Sequence, residues 1–175
     1  MSLDFETFPK IPRLFRDCVI SEKIDGTNAQ ILITETGIQA GSRNKWIDVH
    51  NDNFGFARWV ADHEEELRTG LGLGRHYGEW WGPGIQRGYG QKEKRFSLFN
   101  AERWDIPERP ACCGVVPVLY KGPYSDAQVR LSLLNLEAHG SVVSPGFMRP
   151  EGIVVWHTAS RQMYKVTLDG DGHKG

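Results

Sequence analysis

The chain has 175 residues and a formal net charge of −1, with 39% hydrophobic and 25% charged residues. This length and balance are typical of a soluble globular protein, and we expect residues 1–175 to form a single domain. A near-neutral charge excludes nucleic-acid binding through an overall basic field, so any such contact must come from local basic patches. The segments 13–16 and 91–95 are two such patches, unless they are ordinary solvated surface.

The first third of the chain predicts β-strands. DCVISEKI at 17–24 is predicted as a strand, DGTN at 25–28 as a turn, and AQILIT at 29–34 as the next strand. IQAGS at 38–42 follows after another short turn. Together these segments predict a hairpin or a meander.

Residues 54–71 predict the first helix, because mostly apolar side chains recur there at the spacing of one helical face. The residues on this face are Phe56, Trp59, Val60, His63 and Leu67. Further strands are predicted after this helix, at 76–82, 95–104 and 114–122.

The second helix is predicted at 125–140. Ser125 and Gln128 have the spacing of a capping box, and Gly140 offers a C-terminal stop. Strands at 151–157 and 162–168 follow, joined by a turn, and we expect residues 169–175 to fray. The whole pattern predicts an α+β fold with mixed or antiparallel sheets and about two main helices.

Three cysteines without a CxxC pair predict reduced thiols rather than a disulfide framework or a structural zinc site. The N-terminus lacks the apolar stretch of a signal peptide, and no stretch is apolar for long enough to form a transmembrane helix. We therefore expect a cytoplasmic protein that does not contact a membrane.

Charged residues adjoin several of the apolar runs, and inward-facing charges are costly unless they pair or bind a ligand. They could pair with one another, or they could line a pocket for an anion and a metal ion. These residues are Lys23, Asp25, Arg43, Glu79, Glu151 and Lys165.

Six motifs that contain or adjoin these residues resemble, in this order, those of the covalent nucleotidyltransferase superfamily of DNA ligases, RNA ligases and capping enzymes. The form of the third motif, and Asn28 in the first, are most similar to the phage-type RNA ligases that seal nicks in duplex RNA. The motifs are EKIDGTN (22–28), GSRN (41–44), GEWWGPGIQ (78–86), RFSLFN (95–100), EGIVVW (151–156) and YKVT (164–167).

The resemblance implies an ATP-grasp-like nucleotidyltransferase domain that acts as an ATP-dependent RNA ligase. Lys23 would attack the α-phosphate of ATP and carry AMP as a lysyl-AMP phosphoramidate, with Asp25 and Lys165 as further catalytic residues. Attack requires the neutral amine, which desolvation and nearby cations favour. Mg²⁺ or Mn²⁺ would be held by Glu151 and Asp25.

The resemblance also implies a nucleotide-binding set. Glu79 and Arg43 would hold the ribose hydroxyls and a phosphate, Phe99 would stack on adenine, and Ile153 or Val155 would close its other face. Asn28 would serve the ligation steps. The full set is Glu22, Lys23, Gly26, Asn28, Arg43, Glu79, Phe99, Glu151 and Lys165.

The sequence departs from the family pattern in two ways. Thr167 stands where a second lysine is usual, and the chain ends shortly after Lys165, so we expect no C-terminal OB or helical domain. Alternatives therefore remain open: a DNA nick ligase, an adenylyltransferase only, or a non-catalytic nucleotide-binding module. RNA ends, or DNA or hybrid nicks, are the expected partners, and a further protein could supply the grip on nucleic acid. A bacterium or a phage-infected cell is the expected setting.

Overall fold

The computed structural model describes residues 3–170, which form two β-sheets and four helices. The strands are β1 (Asp17–Lys23), β2 (Thr27–Thr34), β3 (Gly37–Ser42), β4 (Trp46–Ile47), β5 (Gly74–Trp81), β6 (Arg95–Leu98), β7 (Cys113–Val115), β8 (Val118–Pro123), β9 (Gly152–His157) and β10 (Gln162–Thr167). The helices are α1 (Phe56–Asp62), α2 (Glu64–Leu71), α3 (Ala101–Trp104) and α4 (Asp126–His139). The predicted α+β fold with mixed or antiparallel sheets is confirmed.

The smaller sheet has four antiparallel strands in the order β8–β1–β9–β10. Helix α4 covers one of its faces, where Leu136 packs with Ile20, Ile153 and Val155 in a buried cluster. The opposite face carries Lys23, because side chains alternate along a strand and Ile20 points toward α4. One face of this sheet therefore packs on α4, and the other carries Lys23.

The larger sheet has six strands in the order β4–β3–β2–β5–β6–β7, antiparallel except for the parallel pair β6–β7. The apolar residues of β2, Ala29, Ile31 and Ile33, alternate with more exposed ones and point into the main core. Helices α1 and α2 add Phe56 and Leu67 to this core. Burial of these aliphatic and aromatic side chains is the main contribution to stability on this side.

Two predicted elements prove to be interrupted. The helix predicted at 54–71 is broken at His63, whose backbone leaves helical geometry (φ −115°, ψ 16°) and whose Nδ1 lies 2.8 Å from the carbonyl oxygen of Trp59. The strand predicted at 95–104 ends at Leu98, because the Asn100 side chain accepts a hydrogen bond from the Arg103 amide and starts α3.

The predicted strand 114–122 is also two strands, one in each sheet. The Val116 amide donates to Leu98 in the larger sheet, whereas the Pro117 carbonyl accepts from the Glu22 amide in the smaller one. The predicted pairing of 17–24 with 29–34 is wrong for the same reason. The chain crosses between sheets at Asp25 and Gly26, so that β1 and β2 do not pair.

The second helix and the last two strands are confirmed. Ser125 caps α4 by accepting a hydrogen bond from the Gln128 amide at 3.2 Å, and Gly140 ends the helix at φ 80°. Of the C-terminal segment predicted to fray, Asp169 is held by an ion pair with Arg87, and residues 171–175 lie outside the described part. None of the helices in residues 3–170 has the length and apolar character to cross a bilayer.

Candidate active site

The two sheets bring together four residues of the predicted site around the point where the chain crosses between them. Lys23 is the last residue of β1 and lies opposite Gly152 of β9. Gly152 directly follows Glu151 in the sequence. Glu79 lies in β5 of the other sheet, and Gly26 in the crossing segment joins the two. Residues far apart in sequence therefore meet at one cleft.

Lys23 and Glu151 form an ion pair, with 2.8 Å between Nζ and Oε2, and both side chains are partly buried. Gly152 is required for the close packing of the strands here, because a Cβ at this position would collide with the carbonyl oxygen of Val166. The amine and the carboxylate are therefore placed by the strand register rather than by a flexible loop.

Glu79 is a buried carboxylate, 7% exposed. Its Oε1 accepts a hydrogen bond of 3.0 Å from the Gly26 amide. Burial raises the pKa of Glu79 to about 7; Lys23 and the Gly26 amide oppose this effect, and Glu151 and Asp25 add to it. Glu79 therefore titrates near neutral pH.

Gly26 makes this hydrogen bond possible through its small size. A Cβ on Gly26 would collide with the carbonyl oxygen of Trp80 and lie 2.8 Å from the Cβ of Trp81. The glycine of DGTN is therefore required for close approach to β5, and not for a hairpin turn.

Asp25 is held by Arg87, a residue that the sequence analysis did not select. The Arg87 Nε lies 3.0 Å from Asp25 Oδ2, and another guanidinium nitrogen lies 2.8 Å from Asp169. The third nitrogen donates to the carbonyl oxygens of Arg149 and Pro150. Arg87 thus joins Asp25, two residues after β1, to the segment just before Glu151 and to Asp169 after β10.

Tyr89, from the same loop, was also missed. It is almost fully buried, and its hydroxyl accepts a hydrogen bond of 2.8 Å from the Asp25 amide. Burial raises the pKa of Tyr89, so the hydroxyl stays protonated. Both residues lie in the glycine-rich segment GPGIQRGYG (82–90), and this pattern is the signal that could have identified them. Its glycines allow the sharp turns that bring Arg87 and Tyr89 to the cleft.

Glu22 lies away from the cleft, on the opposite face of β1 from Lys23. Its carboxylate accepts hydrogen bonds from the Ser141 hydroxyl at 2.6 Å and from the amides of Val142 and Val143 at 2.9 Å. Burial raises the pKa of Glu22, and these hydrogen bonds oppose the rise. The structure does not bring the Glu22 carboxylate together with Lys23.

The remaining predicted residues lie around the rim. Lys165 is exposed on the same face of the smaller sheet as Lys23, and Asn28 is exposed opposite Glu79 in β2. Arg43 is exposed in the turn after β3, and Phe99 is half-buried directly after β6.

The interpretation of Ile153 and Val155 is contradicted, because both pack toward α4 in the buried cluster. Val154 points to the face that carries Lys23, since it lies opposite Ser21 and Lys165 in neighbouring strands. The sequence EGIVVW could not distinguish these valines, because strand alternation fixes faces only once the register is known.

Three carboxylates, those of Asp25, Glu79 and Glu151, lie near one another. Asp25 and Glu151 both lie close enough to Glu79 for their charges to raise its pKa. Within residues 3–170, no three His, Cys, Asp or Glu side chains form a ready-made metal cage. Oxygen donors without a closed cage fit Mg²⁺ or Mn²⁺, because these ions can keep water and phosphate oxygens as ligands.

Comparisons with known proteins give matches to a family model and to solved structures. The family model for RNA ligase matches residues 16–167. No curated protein sequence matches the chain at a significant level.

Solved structures of Naegleria gruberi RNA ligase share the fold. Mutants with ATP and manganese and with AMP and manganese superpose with TM-scores of 0.66 and 0.67, both at 17% identity, covering 88% and 89% of this chain. The protein with pyrophosphate gives 0.65 at 18% identity and 88% coverage. The matches cover 49%, 51% and 50% of the Naegleria chains, so this chain spans about half the length of the proteins it resembles.

Proposed function

The chain belongs to the RNA ligase family, and on this premise we propose that it is an ATP-dependent RNA ligase. Lys23 attacks the α-phosphate of ATP, giving lysyl-AMP and releasing pyrophosphate. The AMP then passes to a 5′-phosphate end, and a 3′-OH displaces it to join the two ends. The Naegleria proteins with ATP, AMP and pyrophosphate support the nucleotide chemistry of the proposal.

The contact between Lys23 and Glu151 carries the proposal. An amine and a carboxylate 128 residues apart meet at 2.8 Å, beside a buried Glu79 with a pKa near neutrality. Charged groups held together away from bulk water are typical of catalytic sites, because there they act on substrate without reorganising solvent.

The ion pair with Glu151 restrains the nucleophile. An amine attacks phosphorus only through its nitrogen lone pair. The pair must therefore open so that the neutral amine can form the N–P bond. Lys165, on the same face of the sheet, is the cation that we propose for the phosphate.

The residues that fit a divalent cation are Glu151 and Asp25. When bound, this ion supplies positive charge to the phosphate oxygens as pyrophosphate leaves. Glu79 is proposed to accept a hydrogen bond from the ribose, Phe99 to stack on adenine, and Val154 to lie on its other side. Asn28 and Arg43, at the rim, are proposed to contact the phosphate or the acceptor end.

RNA ends are the substrate we propose; DNA or hybrid nicks are outcomes of the test below. Lys165 is the only cation of the motif YKVT (164–167), because Thr167 stands where a second lysine is usual. The Thr167 hydroxyl donates a hydrogen bond to the Gly170 carbonyl. We keep the prediction that a partner supplies further grip on nucleic acid.

Three free cysteines support a cytoplasmic location, where thiols stay reduced.

The decisive experiment is incubation with α-labelled ATP and Mg²⁺, followed by a denaturing gel. We expect label on the wild type and on Lys10→Ala, a substitution in the exposed N-terminal segment, and none on Lys23→Ala or Lys23→Arg. The label should move to 5′-phosphorylated RNA when RNA is added. Absence of label on the wild type, with ATP bound in calorimetry, would show that the chain is a nucleotide-binding module instead.

A parallel set of nicked substrates defines the polymer. RNA, DNA and hybrid duplexes of one sequence would be sealed at different rates, and we expect the RNA nick to be sealed fastest. Faster sealing of the DNA nick would identify a DNA ligase. Transfer of AMP without sealing would identify an adenylyltransferase.

A further inference from the structure

The face of the larger sheet that points away from the main core carries an unusual set of side chains. Register places Trp46, Gly41, Gln30 and Tyr77 in one row across β4, β3, β2 and β5. Arg75 follows on the same face, two residues before Tyr77. We name the group Gln30, Trp46, Arg75 and Tyr77 the sheet platform.

The two aromatic rings of the sheet platform are open to solvent. Trp46 is 41% exposed and Tyr77 is 54% exposed, although strand aromatics are normally buried on one face. Gly41 between them keeps the surface low, because a Cβ there would lie 2.8 Å from the Gln30 side chain and 3.1 Å from the Trp46 ring. Flat, exposed rings in one row are suited to stacking on planar groups.

Arg75 is held in place across this surface. Its guanidinium lies 5.4 Å from the centre of the Trp46 ring, and one nitrogen donates to the Gln30 side-chain oxygen at 3.0 Å. A pre-positioned arginine loses less conformational freedom when it binds a phosphate or stacks on a base. The platform therefore combines π-faces with a fixed cation.

The local charge is positive although the chain as a whole is near neutral. Arg43 and Lys45 lie in the exposed turn between β3 and β4, next to Trp46 in sequence. Among the described strand residues that share this face, only Glu79 carries a carboxylate, and this carboxylate is buried. This arrangement is complementary to a polyanion.

The platform continues directly into the proposed active site. Asn28 and Glu79 form the next row of the same face, one step from Gln30 and Tyr77. Phe99 adjoins Tyr77, since its amide donates to the Tyr77 carbonyl at 3.0 Å. A polymer lying on the platform would thus have a path to the cleft.

We propose that the sheet platform binds single-stranded RNA and guides a strand end toward Lys23. Bases stack on Trp46 and Tyr77, and Arg75 contacts a phosphate or a base. Gln30, bonded to both Ser42 and Arg75, holds the arginine in place. Stacking of this kind is tolerant of sequence, because every base has a π-face. The role in guiding an end depends on the proposed ligase function, whereas RNA binding itself does not.

The test is binding of a fluorescent single-stranded RNA with a 5′-hydroxyl and a 3′-phosphate, which can be neither adenylylated nor ligated. Anisotropy titrations compare the wild type with Trp46→Ala, Tyr77→Ala, the double variant and Arg75→Gln. The matched controls are Tyr164→Ala, an equally exposed tyrosine on the α4 side of the smaller sheet, and Arg130→Gln, an exposed arginine on α4.

We expect the double variant to bind at least about 25-fold more weakly and each single aromatic variant at least about fivefold more weakly, with the controls unchanged. Arg75→Gln should lower the salt slope of log Kd by about one. Melting curves confirm that each variant is folded; should Trp46→Ala unfold, Tyr77→Ala and Arg75→Gln still decide the question. Unchanged affinity in these variants, equal loss in the controls, or no RNA binding by the wild type would overturn the proposal.

Labelling with α-labelled ATP separates this result from the proposed ligase chemistry. Platform variants should still form lysyl-AMP, because their side chains do not contact Lys23. Loss of label from the wild type with platform-dependent RNA binding intact would contradict the ligase function alone. Retained label with RNA binding unaffected by the platform variants would contradict the platform alone. Binding of an added protein to the sheet platform in place of RNA would also contradict the platform proposal.

Discussion

Two buried carboxylates, Glu22 and Glu79, differ in what surrounds them. Glu22 is 1% exposed and accepts three hydrogen bonds, from a hydroxyl and two backbone amides. Glu79 is 7% exposed and, within the described residues, accepts a single hydrogen bond, from the Gly26 amide. Burial raises the pKa of both, but the protein itself satisfies only Glu22.

The difference teaches how to separate a structural acid from a functional one. A buried carboxylate with several internal donors holds segments together, as Glu22 holds 141–143 to β1. A buried carboxylate with spare acceptor capacity, beside an amine and two other acids, is available to a ligand. Glu22 and Lys23 are neighbours in sequence, yet they belong to these two different regions.

Glu22→Ala should have the largest effect on stability. The substitution leaves the Ser141 hydroxyl and the amides of Val142 and Val143 without their acceptor, so we expect the free energy of unfolding to fall by about 3 kcal/mol. Urea unfolding measures this loss, with the exposed Glu137→Ala as the matched control. If Glu22→Ala kept full stability but lost lysyl-AMP formation, Glu22 would belong to the active site and the comparison would fail.

Apart from substitutions of Lys23, Lys165→Ala should cause the largest fall in the rate of lysyl-AMP formation among substitutions at the proposed site. Removing the cation on the Lys23 face should slow lysyl-AMP formation about 100-fold, because charge on the phosphate is no longer offset. Lys165 is exposed, so the unfolding midpoint should not change. Single-turnover labelling measures the rate, with Lys10→Ala as the control. An unchanged rate would remove Lys165 from the mechanism.

Glu79→Gln should change the pH dependence of stability. Burial raises the pKa of Glu79 to about 7 in the folded protein, whereas the unfolded chain releases this proton near pH 4.5. The folded state therefore binds more protons in this window, and its stability falls as pH rises from 4.5 to 7, by roughly 3 kcal/mol at most. Glu79→Gln should lack this fall.

Urea unfolding at pH 4.5, 6 and 8 measures the effect of Glu79→Gln, with Glu137→Gln as a control for the exposed glutamates. The difference between Glu79→Gln and the wild type should grow with pH in favour of the variant. A difference that is constant over this range would show that burial does not raise the pKa of Glu79, and the contrast with Glu22 would then rest on hydrogen bonds alone.

Arg87→Ala should have the smallest effect of the four. It frees Asp25 and the backbone before Glu151, so we expect lysyl-AMP formation to slow about tenfold, with partial recovery in Arg87→Lys. Asp169→Ala removes only the outer ion pair of Arg87 and should change the rate by less than about twofold. Rate and KM for ATP are measured together. Equal losses in Arg87→Ala and Asp169→Ala would indicate general loosening of the loop instead of positioning of Asp25.

Local sequence predicted much of the secondary structure and selected the candidate site residues. Helix α4 was predictable because Ser125 and Gly140 mark its ends through their own backbone contacts. Lys23, Glu79, Glu151 and Lys165 were selected because each adjoins an apolar run within a short motif. Such signals lie within a few residues of one another, and a single sequence shows them directly.

Only the tertiary structure decided which strands pair and which face each residue occupies. The separation of β1 from β2, the division of the strand predicted at 114–122, and the choice of Val154 over Ile153 and Val155 all follow from strand register. Register depends on partners more than a hundred residues away, such as Gly152 for Lys23, and a shift of one residue would exchange the faces.

The same reason explains why Arg87, Tyr89 and the sheet platform were not predicted. Their neighbours come from distant segments, so the glycine-rich pattern around Arg87 and Tyr89 does not show what they contact, and no short pattern marks the sheet platform. The sequence by itself thus selected the candidate residues for the chemistry. The fold decided that Lys23 faces a cleft, whereas Glu22, one residue before it, is enclosed, because successive side chains of a strand point to opposite faces.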